Sequence, residues 1–295
     1  MATPAPIRKV VYPAAGLGTR ILPATAVLPK ELLPIVDKPI IQYGVEEALA
    51  AGLSQIILVS SPGKTVLEDH FDRHPLLHEV LERKGKAGLL AGLRDVVARI
   101  DLSTVLQDEP LGLGHAVLVS QALVEEEPFA VVLSDDVIDA DPVALRQMLD
   151  VYAEVDGPVL LVERVPRDAV SRYGVIDATA IRDGVYRVRD LVEKPAPADA
   201  PSDLAIIGRY LLTPDIYPVL DGIGTGAGGE IQLTDGLRGL LSQRPIHAVE
   251  LRGVRQDAGN KLGYIQAILY FACKHPEIGE EVTALLRRVG ETGPA

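Results

Sequence analysis

The sequence predicts an α/β, doubly wound fold with a mostly parallel, mixed Rossmann-like sheet and helices on both faces. Three observations support this prediction. Short apolar, β-branched segments alternate with longer segments of helical periodicity. Strand–helix alternation of this kind favours a largely parallel sheet that is covered on both faces. The chain of 295 residues is also long enough for one large α/β domain with a substantial core.

The elements follow one another along the chain. The predicted strands are Lys9–Tyr12, Gln55–Ser60, Ala130–Leu133, Pro158–Val165 and Ile206–Leu212. The predicted helices are Ile40–Ala51, Pro62–Phe71, Leu111–Leu123 and Pro142–Val155. Between Arg172 and Leu212 the pattern is interrupted by turn signals at Asp183-Gly184 and Pro195–Pro201. We expect inserted antiparallel strands there, which form a small second lobe.

The last third of the chain contains a glycine-rich segment and a helical tail. Gly222–Gly229 is predicted to be a flexible loop, because five of its eight residues are glycine. From Lys261 onward one stripe of apolar residues is predicted on a helix: Leu262, Ile265, Ile268, Leu269 and Ala272. Such a stripe packs on its own domain or, less often, forms a dimer contact. No linker marks a sharp boundary, so residues 1–295 are predicted to form one domain.

Composition excludes several classes of protein. Lys and Arg number 29 against 41 Asp and Glu, a net charge of −12 with no basic cluster, so we expect no nucleic-acid partner. Cys273 is the only cysteine, which excludes an internal disulfide and a cysteine-rich zinc site. No signal-peptide segment and no long apolar run is present, so we expect no membrane contact and a cytoplasmic location.

Residues 10–34 contain the strongest functional signal. A predicted strand ends in a glycine turn at Gly16 and Gly18, and two cations follow at Arg20 and Lys30. Glycines let backbone N–H groups approach a phosphate, and the two cations can neutralise a polyphosphate. The segment therefore predicts a nucleoside triphosphate site at the carboxyl end of a strand, with a tight turn that binds nothing as the alternative.

Two familiar phosphate-binding motifs do not fit this segment. A P-loop requires G-x-x-x-x-G-K-[ST], which is absent. The dinucleotide fingerprint requires a third glycine and a continuous helix, and Pro23, Pro29 and Pro34 forbid that helix. We therefore expect an extended loop that carries both cations around a phosphate chain.

Ordered motifs along most of the chain carry a family resemblance. After A-G-L-G-T-R come P-K-E and D-K-P-I-I-Q-Y, then H-F-D at 70–72, E-P-L-G-L-G-H-A at 109–116, S-D-D at 134–136, R-Y-G-V at 172–175, E-K-P at 193–195, G-R-Y at 208–210, G-E-I-Q-L-T-D at 229–235 and K-L-G-Y at 261–264. In these motifs the chain resembles the bacterial UTP–glucose-1-phosphate uridylyltransferases, which are sugar-1-phosphate nucleotidylyltransferases.

The resemblance implies a reaction and its partners. A sugar-1-phosphate joins the α-phosphate of a nucleoside triphosphate and pyrophosphate leaves, so the implied substrates are UTP and glucose-1-phosphate with Mg²⁺ as cofactor. It implies a nucleotide-binding half at about residues 8–140, a sugar-phosphate-binding half at about 141–258 and a helical tail at about 261–290. Relatives commonly form homodimers or homotetramers, and the tail is a possible oligomer contact.

Paired carboxylates are expected to hold the metal. Asp135 and Asp136 follow a predicted strand at the ligand edge of the sheet. Adjacent carboxylates on an extended chain point to opposite sides, so one of them needs a distant partner. By the resemblance, Asp257 is that partner, and Asp135 and Asp257 are assigned to Mg²⁺. The alternative is that Asp-Asp is a helix N-cap ahead of Pro142.

The remaining site residues are assigned by the resemblance together with their chemistry. Arg20 and Lys30 suit the triphosphate, and Lys194 suits the sugar phosphate. The nucleotide-binding set is Ala14, Ala15, Gly16, Gly18, Gln107, Gly112 and Asp135. The sugar-phosphate-binding set is Asp136, Gly174, Glu193, Lys194 and Glu230. His115 is expected to bond locally, because an ionised phosphate nucleophile needs no general base.

Two departures from the family pattern affect the choice of substrate. The resemblance implies lysine at the position of Ala26 and aspartate at that of Asn260. Altered specificity is therefore a hypothesis, with dTTP or another sugar-1-phosphate as the alternative substrate. A non-catalytic sugar-nucleotide-binding protein is a further alternative, which the intact Asp135 and Asp257 disfavour. A nicotinamide oxidoreductase lacks its glycine pattern.

Overall fold

Strands and helices alternate along the computed structural model, which describes residues 5–155, 157–226 and 229–292. The strands are β1 Lys9–Pro13, β2 Pro34–Ile35, β3 Lys38–Pro39, β4 Gln55–Ser60, β5 Asp101–Leu106, β6 Phe129–Val132, β7 Asp136–Asp139, β8 Val159–Arg164, β9 Gly174–Arg182, β10 Val185–Glu193, β11 Leu204–Leu212, β12 His247–Glu250 and β13 Val254–Asp257. The helices are α1 Ile40–Ala51, α2 Val66–His70, α3 Pro75–Arg83, α4 Ala91–Arg99, α5 Leu113–Val119, α6 Gln121–Val124, α7 Ala144–Val155, α8 Ile216–Gly222, α9 Leu233–Leu241, α10 Lys261–Lys274 and α11 Gly279–Thr292.

Nine strands form one mixed sheet in the order β5-β4-β1-β6-β11-β8-β12-β10-β9. The strands at one end of this order, β5, β4, β1 and β6, are parallel to one another. Strand β1 pairs with β4 on one side and with β6 on the other. The chain order reverses at β1, since β4 and β5 lie on one side of it and β6 on the other. Open α/β sheets bind ligands at such a reversal.

The other half of the sheet is largely antiparallel. Of the eight neighbouring pairs, four are parallel and four antiparallel, so the sheet is evenly mixed rather than mostly parallel. A tight turn at Asp183-Gly184 joins β9 to β10, and a short turn permits only an antiparallel pair. These strands lie in the predicted antiparallel region and continue the same sheet. Two short ladders, β2–β3 and β7–β13, lie outside it.

Helices cover both faces of the sheet. Alternate residues of β1 enter different cores: Val10 and Tyr12 pack with α1 and α7, whereas Val11 packs with α5, α8 and α9. This division follows from the period of two along a strand. The central strands are buried on both sides, which explains their near-continuous apolar composition.

The helix α1 and the strand β4 lie where the sequence predicts them. The predicted helix at 62–71 is helical only over α2, and the one at 111–123 is divided at Ser120 into α5 and α6. The sequence gives no prediction for β5, because this edge strand is only partly buried and contains polar residues.

The apolar stripe of α10 is mostly directed to solvent. Leu262 and Ile265 are half exposed or more, and the helix packs instead through Gly263, Ala267 and Phe271. Part of the predicted flexible loop, residues 227 and 228, lies outside the described residues. Within the described ranges, no helix has both the length and the apolar character of a membrane span.

Candidate active site

A cavity of about 950 Å³ opens where β1 and β6 end, at the reversal of strand order. This volume lies within the usual range for small-molecule sites. Every site residue predicted from the sequence lines it except Ala14, which is fully buried. The lining also includes residues that were not assigned as site residues: Glu31, Arg172, Tyr173, Gln232, Thr234, Arg255 and Asn260.

The segment after the glycine turn is a long loop without a continuous helix, as the prolines predict. After Gly18, which has a φ of 64°, the chain makes short 3₁₀ turns at Thr19–Ile21, Ala24–Ala26 and Lys30–Leu32 instead of a continuous helix. The hydroxyl of Thr25 donates to the Gly18 carbonyl at 2.7 Å. A Cβ on Gly16 would meet nothing within 4 Å. Space beside the Gly16 backbone is therefore open.

Lys64 supports this turn from the next strand along the sheet. It follows β4, and its Nζ donates to the carbonyls of Ala14 at 3.0 Å and Gly16 at 2.5 Å. These two hydrogen bonds hold the backbone of the glycine turn in place. The sequence contains no local signal for this lysine, because its partners lie on a different loop.

Asp135 and Asp257, which the resemblance assigns to one metal, lie close together. A Cβ placed on Gly259 would lie 2.7 Å from Asp135 Oδ2 and 3.1 Å from Asp257 Oδ1, so both carboxylates border one point. The β7–β13 ladder produces this approach, and the Ala258 N–H donates to the Asp135 carbonyl at 2.8 Å. The alternative that Asp135 and Asp136 are a helix N-cap finds no support, because a strand, β7, begins at Asp136.

Cations pair with both carboxylates. Lys30 Nζ lies 2.6 Å from Asp135 Oδ2, and Arg172 donates to Asp257 Oδ2 at 2.6 Å. Burial alone would raise the pKa of Asp135, but the Lys30 ammonium outweighs it and holds the pKa below its usual value. Burial alone would lower the pKa of Lys30, and Asp135 and Glu31 instead raise it. Both groups are charged at neutral pH.

These residues fit a magnesium ion. Mg²⁺ prefers one or two carboxylates and completes its shell with water and phosphate oxygens, which is the donor set that Asp135 and Asp257 provide beside an open cavity. No group of three or more His, Cys, Asp or Glu among the described residues forms a closed metal cage.

Asn260 connects Asp257 of this carboxylate pair to helix α10. Its Nδ2 donates to Asp257 Oδ2 at 3.2 Å, and its Oδ1 caps α10 by accepting from the Gly263 N–H at 3.0 Å. A Cβ on Gly263 would overlap the Asp257 carbonyl. By contrast, Ala26 is exposed and does not line the cavity.

Both carboxylate oxygens of Asp136 accept hydrogen bonds from other groups of the protein. Its Oδ1 accepts from Arg255 at 2.5 Å and its Oδ2 from the Gly208 N–H at 2.8 Å. Burial raises its pKa, although Arg255 opposes this. Arg255 also donates to Glu163 at 2.8 Å and to the Tyr173 hydroxyl at 3.0 Å. Asp136 therefore connects the turn that carries Asp135 to the side of the cavity that contains Tyr173.

Glu193, Lys194 and Gly174 form one corner of the cavity. Glu193 accepts from the Thr234 hydroxyl at 2.7 Å and lies 3.0 Å from Lys194 Nζ. A Cβ on Gly174 would lie 2.9 Å from Thr234 Oγ1 and 3.2 Å from Glu193 Oε2. Glycine is therefore required at position 174 to leave this corner intact.

Gln107 and Gly112 form the opposite corner. Gln107 Nε2 donates to the Gly112 carbonyl at 3.2 Å and lies 2.9 Å from His115 Nδ1, so His115 bonds locally as expected. Gly112 has a φ of 94°, and a Cβ there would lie 2.7 Å from Glu230 Cβ. The loop that contains Glu230 thus packs directly against the backbone of this corner.

A buried arginine lies beneath the site. Arg209 is 1% exposed and pairs with Glu47, its Nη2 lying 2.7 Å from Glu47 Oε2. It also donates to the carbonyls of Leu133 at 3.1 Å, Gly208 at 3.0 Å and Asp136 at 2.9 Å. Because Leu133 and Asp136 flank the turn that carries Asp135, this network fixes the backbone of that turn.

The open α/β sheet, the glycine turn, the two cations and the paired carboxylates together define a nucleotide-handling α/β enzyme. The family model described as nucleotidyl transferase matches residues 10–272. A UTP–glucose-1-phosphate uridylyltransferase from Staphylococcus epidermidis is 46% identical over 96% of this chain and 98% of its own length.

Solved structures agree with these sequence relatives. A UDP-glucose pyrophosphorylase complexed with UDP-glucose superposes with a TM-score of 0.86 at 43% identity, covering 92% of this chain and all of the other. A UTP-bound UGPase from Acinetobacter baumannii has a TM-score of 0.88 at 38% identity, covering 95% and 99% of the two chains. The chain belongs to the nucleotidyl transferase family, among the UTP–glucose-1-phosphate uridylyltransferases, and the resemblance predicted from the sequence is confirmed.

Proposed function

We propose that this enzyme transfers a uridylyl group from UTP to glucose-1-phosphate, giving UDP-glucose and pyrophosphate. The observation that carries the proposal is the convergence of Asp135 and Asp257 beside Gly259, in the same cavity as Arg20, Lys30 and Lys194. Phosphoryl-type transfer needs positioning and charge neutralisation more than covalent chemistry from the protein. Relatives that bear the name of this activity support the choice of substrates.

The protein's part in the reaction follows from the cavity walls. Mg²⁺ bound by Asp135 and Asp257 would neutralise charge on the phosphates. Lys194, beside Glu193, would orient the sugar phosphate, whose ionised oxygen attacks the α-phosphorus of UTP while the bond to pyrophosphate breaks. Arg20 and Lys30 would stabilise the departing pyrophosphate and the α-phosphate charge. Nothing has to remove a proton, because the attacking oxygen is already ionised.

The corners of the cavity are assigned to substrate parts in the same proposal. Gln107 and Gly112 would read the uracil edge, with Ala14, Ala15, Gly16 and Gly18 along the nucleotide. Gly174, Glu193, Glu230 and Asp136 would shape the sugar pocket, directly or through Arg255. The nucleotide would then lie with residues 8–140, and the sugar phosphate with the antiparallel region in residues 141–258.

Assembly and location complete the proposal. The exposed Leu262 and Ile265 on α10, with Leu285 and Val289 on α11, are available for contact in a homodimer or homotetramer. We place the reaction in the cytoplasm, in keeping with the single cysteine of the chain.

The direct test is pyrophosphate release by the purified protein with Mg²⁺ and glucose-1-phosphate. UTP, dTTP, CTP, ATP and GTP are offered separately, and reactions without glucose-1-phosphate serve as the control. We expect UTP to be the best substrate and UDP-glucose to be the product. A preference for dTTP would support the altered-specificity alternative. No release with any nucleotide would lead to the same assay with other sugar-1-phosphates, and no release there would favour a binding protein.

A change at Gly174 tests the sugar pocket. Gly174→Ala is expected to raise the KM for glucose-1-phosphate about tenfold, because the new Cβ displaces Thr234 and Glu193. The KM for UTP should change little. Gly88→Ala is the matched control, since a Cβ there meets nothing within 4 Å. Equal KM values for glucose-1-phosphate in both variants would contradict the assignment of Gly174 to the sugar pocket.

A further inference from the structure

Glu31 is a buried charge that the reaction scheme above does not use. It lies on the 3₁₀ turn Lys30–Leu32, is 1% exposed and borders the cavity. Neither Oε1 nor Oε2 has a hydrogen-bond partner among the described residues. Burial raises its pKa to about 6, although Lys30 opposes this. Burying a carboxylate without hydrogen bonds is costly, so folding does not explain its position.

Lys30 lies between Glu31 and Asp135. Its Nζ is 2.6 Å from Asp135 Oδ2 and 3.9 Å from Glu31 Oε1. The ammonium is therefore bonded to one carboxylate and has a second within a short displacement. Lys30 therefore has two carboxylates as possible partners, and in this structure it is bonded to Asp135.

The oxygen that Lys30 holds is also the oxygen that faces the second metal ligand. The point beside Gly259 lies 2.7 Å from Asp135 Oδ2 and 3.1 Å from Asp257 Oδ1. A divalent cation held by Asp135 and Asp257 would therefore compete with Lys30 for the Asp135 carboxylate. Two cations in contact with one oxygen repel each other strongly in a partly buried site. A metal held by Asp135 would therefore favour a Lys30 ammonium that has moved away from this carboxylate.

We propose that Glu31 is a positioning residue, which takes over the Lys30 ammonium from Asp135 when Mg²⁺ binds together with the nucleotide. The inference rests on the proposed function in naming Mg²⁺ and UTP. With Glu31 as its new partner, Lys30 stays charged beside the phosphates. Glu31 thus acts through Lys30, and its oxygens, which accept no hydrogen bond from the described part of the chain, are the second position that the ammonium can occupy.

Glu31→Gln tests this role with a readout that does not depend on turnover. Mn²⁺, which also favours carboxylate ligands, serves as a paramagnetic probe, and its binding is titrated in the presence of UTP by electron paramagnetic resonance. We expect about tenfold weaker Mn²⁺ binding in the variant, because Lys30 without a second partner competes with the metal for Asp135. Glu31→Asp, which restores the carboxylate, should recover part of that affinity.

Thermal unfolding of the unliganded variant gives the second readout. The raised pKa means that folding disfavours ionised Glu31, a penalty that is fully present above pH 6 and disappears below the ordinary carboxyl value of 4.5. Glu31→Gln should therefore melt at a higher temperature than the wild type at pH 7.5, with a gain that shrinks towards pH 5. Weaker metal binding combined with higher stability distinguishes positioning from a structural role.

Glu46→Gln is the matched control. It removes the same charge from a carboxylate that pairs with Lys38 at 2.6 Å and does not line the cavity, so Mn²⁺ binding should be unchanged. Wild-type Mn²⁺ affinity in Glu31→Gln would overturn the inference, as would lower stability at pH 7.5. If Glu31→Gln binds Mn²⁺ more weakly than the wild type, as predicted, but the wild type makes no UDP-glucose, the proposed function alone fails.

Discussion

Asp135→Asn is expected to lower kcat by about 100- to 1,000-fold, the range observed when one preorganised electrostatic group is lost. Asparagine has nearly the same shape as aspartate, so the turn between β6 and β7 should keep its backbone. The change removes the negative charge that a hard cation prefers and that faces Asp257 across Gly259. It also deprives Lys30 of its partner at 2.6 Å. Both the metal and the cation at the phosphates are affected.

Steady-state kinetics over a range of Mg²⁺ concentrations measure this effect. The concentration of Mg²⁺ that gives half-maximal activity should rise as kcat falls. Asp139→Asn is the matched control, because Asp139 ends β7, the strand that begins just after Asp135, pairs with Lys274 and Tyr270, and is outside the cavity. If both variants keep wild-type kcat and Mg²⁺ dependence, Asp135 is not a metal ligand.

Arg209→Met is expected to destabilise the protein by about 3–5 kcal/mol, the usual cost of removing one partner from a buried ion pair. The guanidinium has acceptors for all five of its N–H donors: both Glu47 oxygens and the carbonyls of Leu133, Gly208 and Asp136. Methionine fills similar volume but removes these hydrogen bonds and leaves the buried Glu47 carboxylate without its cation, with the Leu145 N–H at 3.1 Å as its one remaining donor among the described residues. Urea unfolding at neutral pH measures the loss as a lower midpoint.

Two further variants make this prediction specific. Glu47→Gln combined with Arg209→Met removes the unpaired charge and should recover part of the lost stability. Arg238→Met breaks the pair between Arg238 and Asp190, both substantially exposed, and should cost less than about 1 kcal/mol. Similar losses in Arg209→Met and Arg238→Met would contradict the role assigned to the buried network.

The sequence was sufficient to predict which residues form a site when those residues lie close together along the chain. It was also sufficient to predict the edge of the sheet at which they lie. The glycine turn, Arg20 and Lys30 follow one strand, and local chemistry was enough to indicate a phosphate site. Helix α1 was predicted with its bounds because apolar residues recur along it with helical spacing. The pairing of Asp135 with Asp257 came from the family resemblance, since nothing in their spacing indicates the β7–β13 ladder.

Groups whose partners lie far away in the chain were not predictable. Arg209 and Glu47 look like ordinary members of a strand and a helix, yet they are 162 positions apart and form one buried pair. Lys64 reads as a loop lysine until the fold brings it to the glycine turn. The even mixture of parallel and antiparallel pairs depends likewise on which strands become neighbours, a choice that hydrophobic periodicity does not encode.

The contact between Gly263 and the Asp257 carbonyl has a consequence for how the chain can be divided. The first turn of α10 has no side chain at this position, is capped by Asn260 and donates the Tyr264 hydroxyl to the Pro34 carbonyl at 2.8 Å. The helix therefore supports a carboxylate of the cavity on one side and the loop after Lys30 on the other. Ending the chain before residue 261 would therefore remove the support of that carboxylate and of that loop, although no described residue after Asn260 lines the cavity itself.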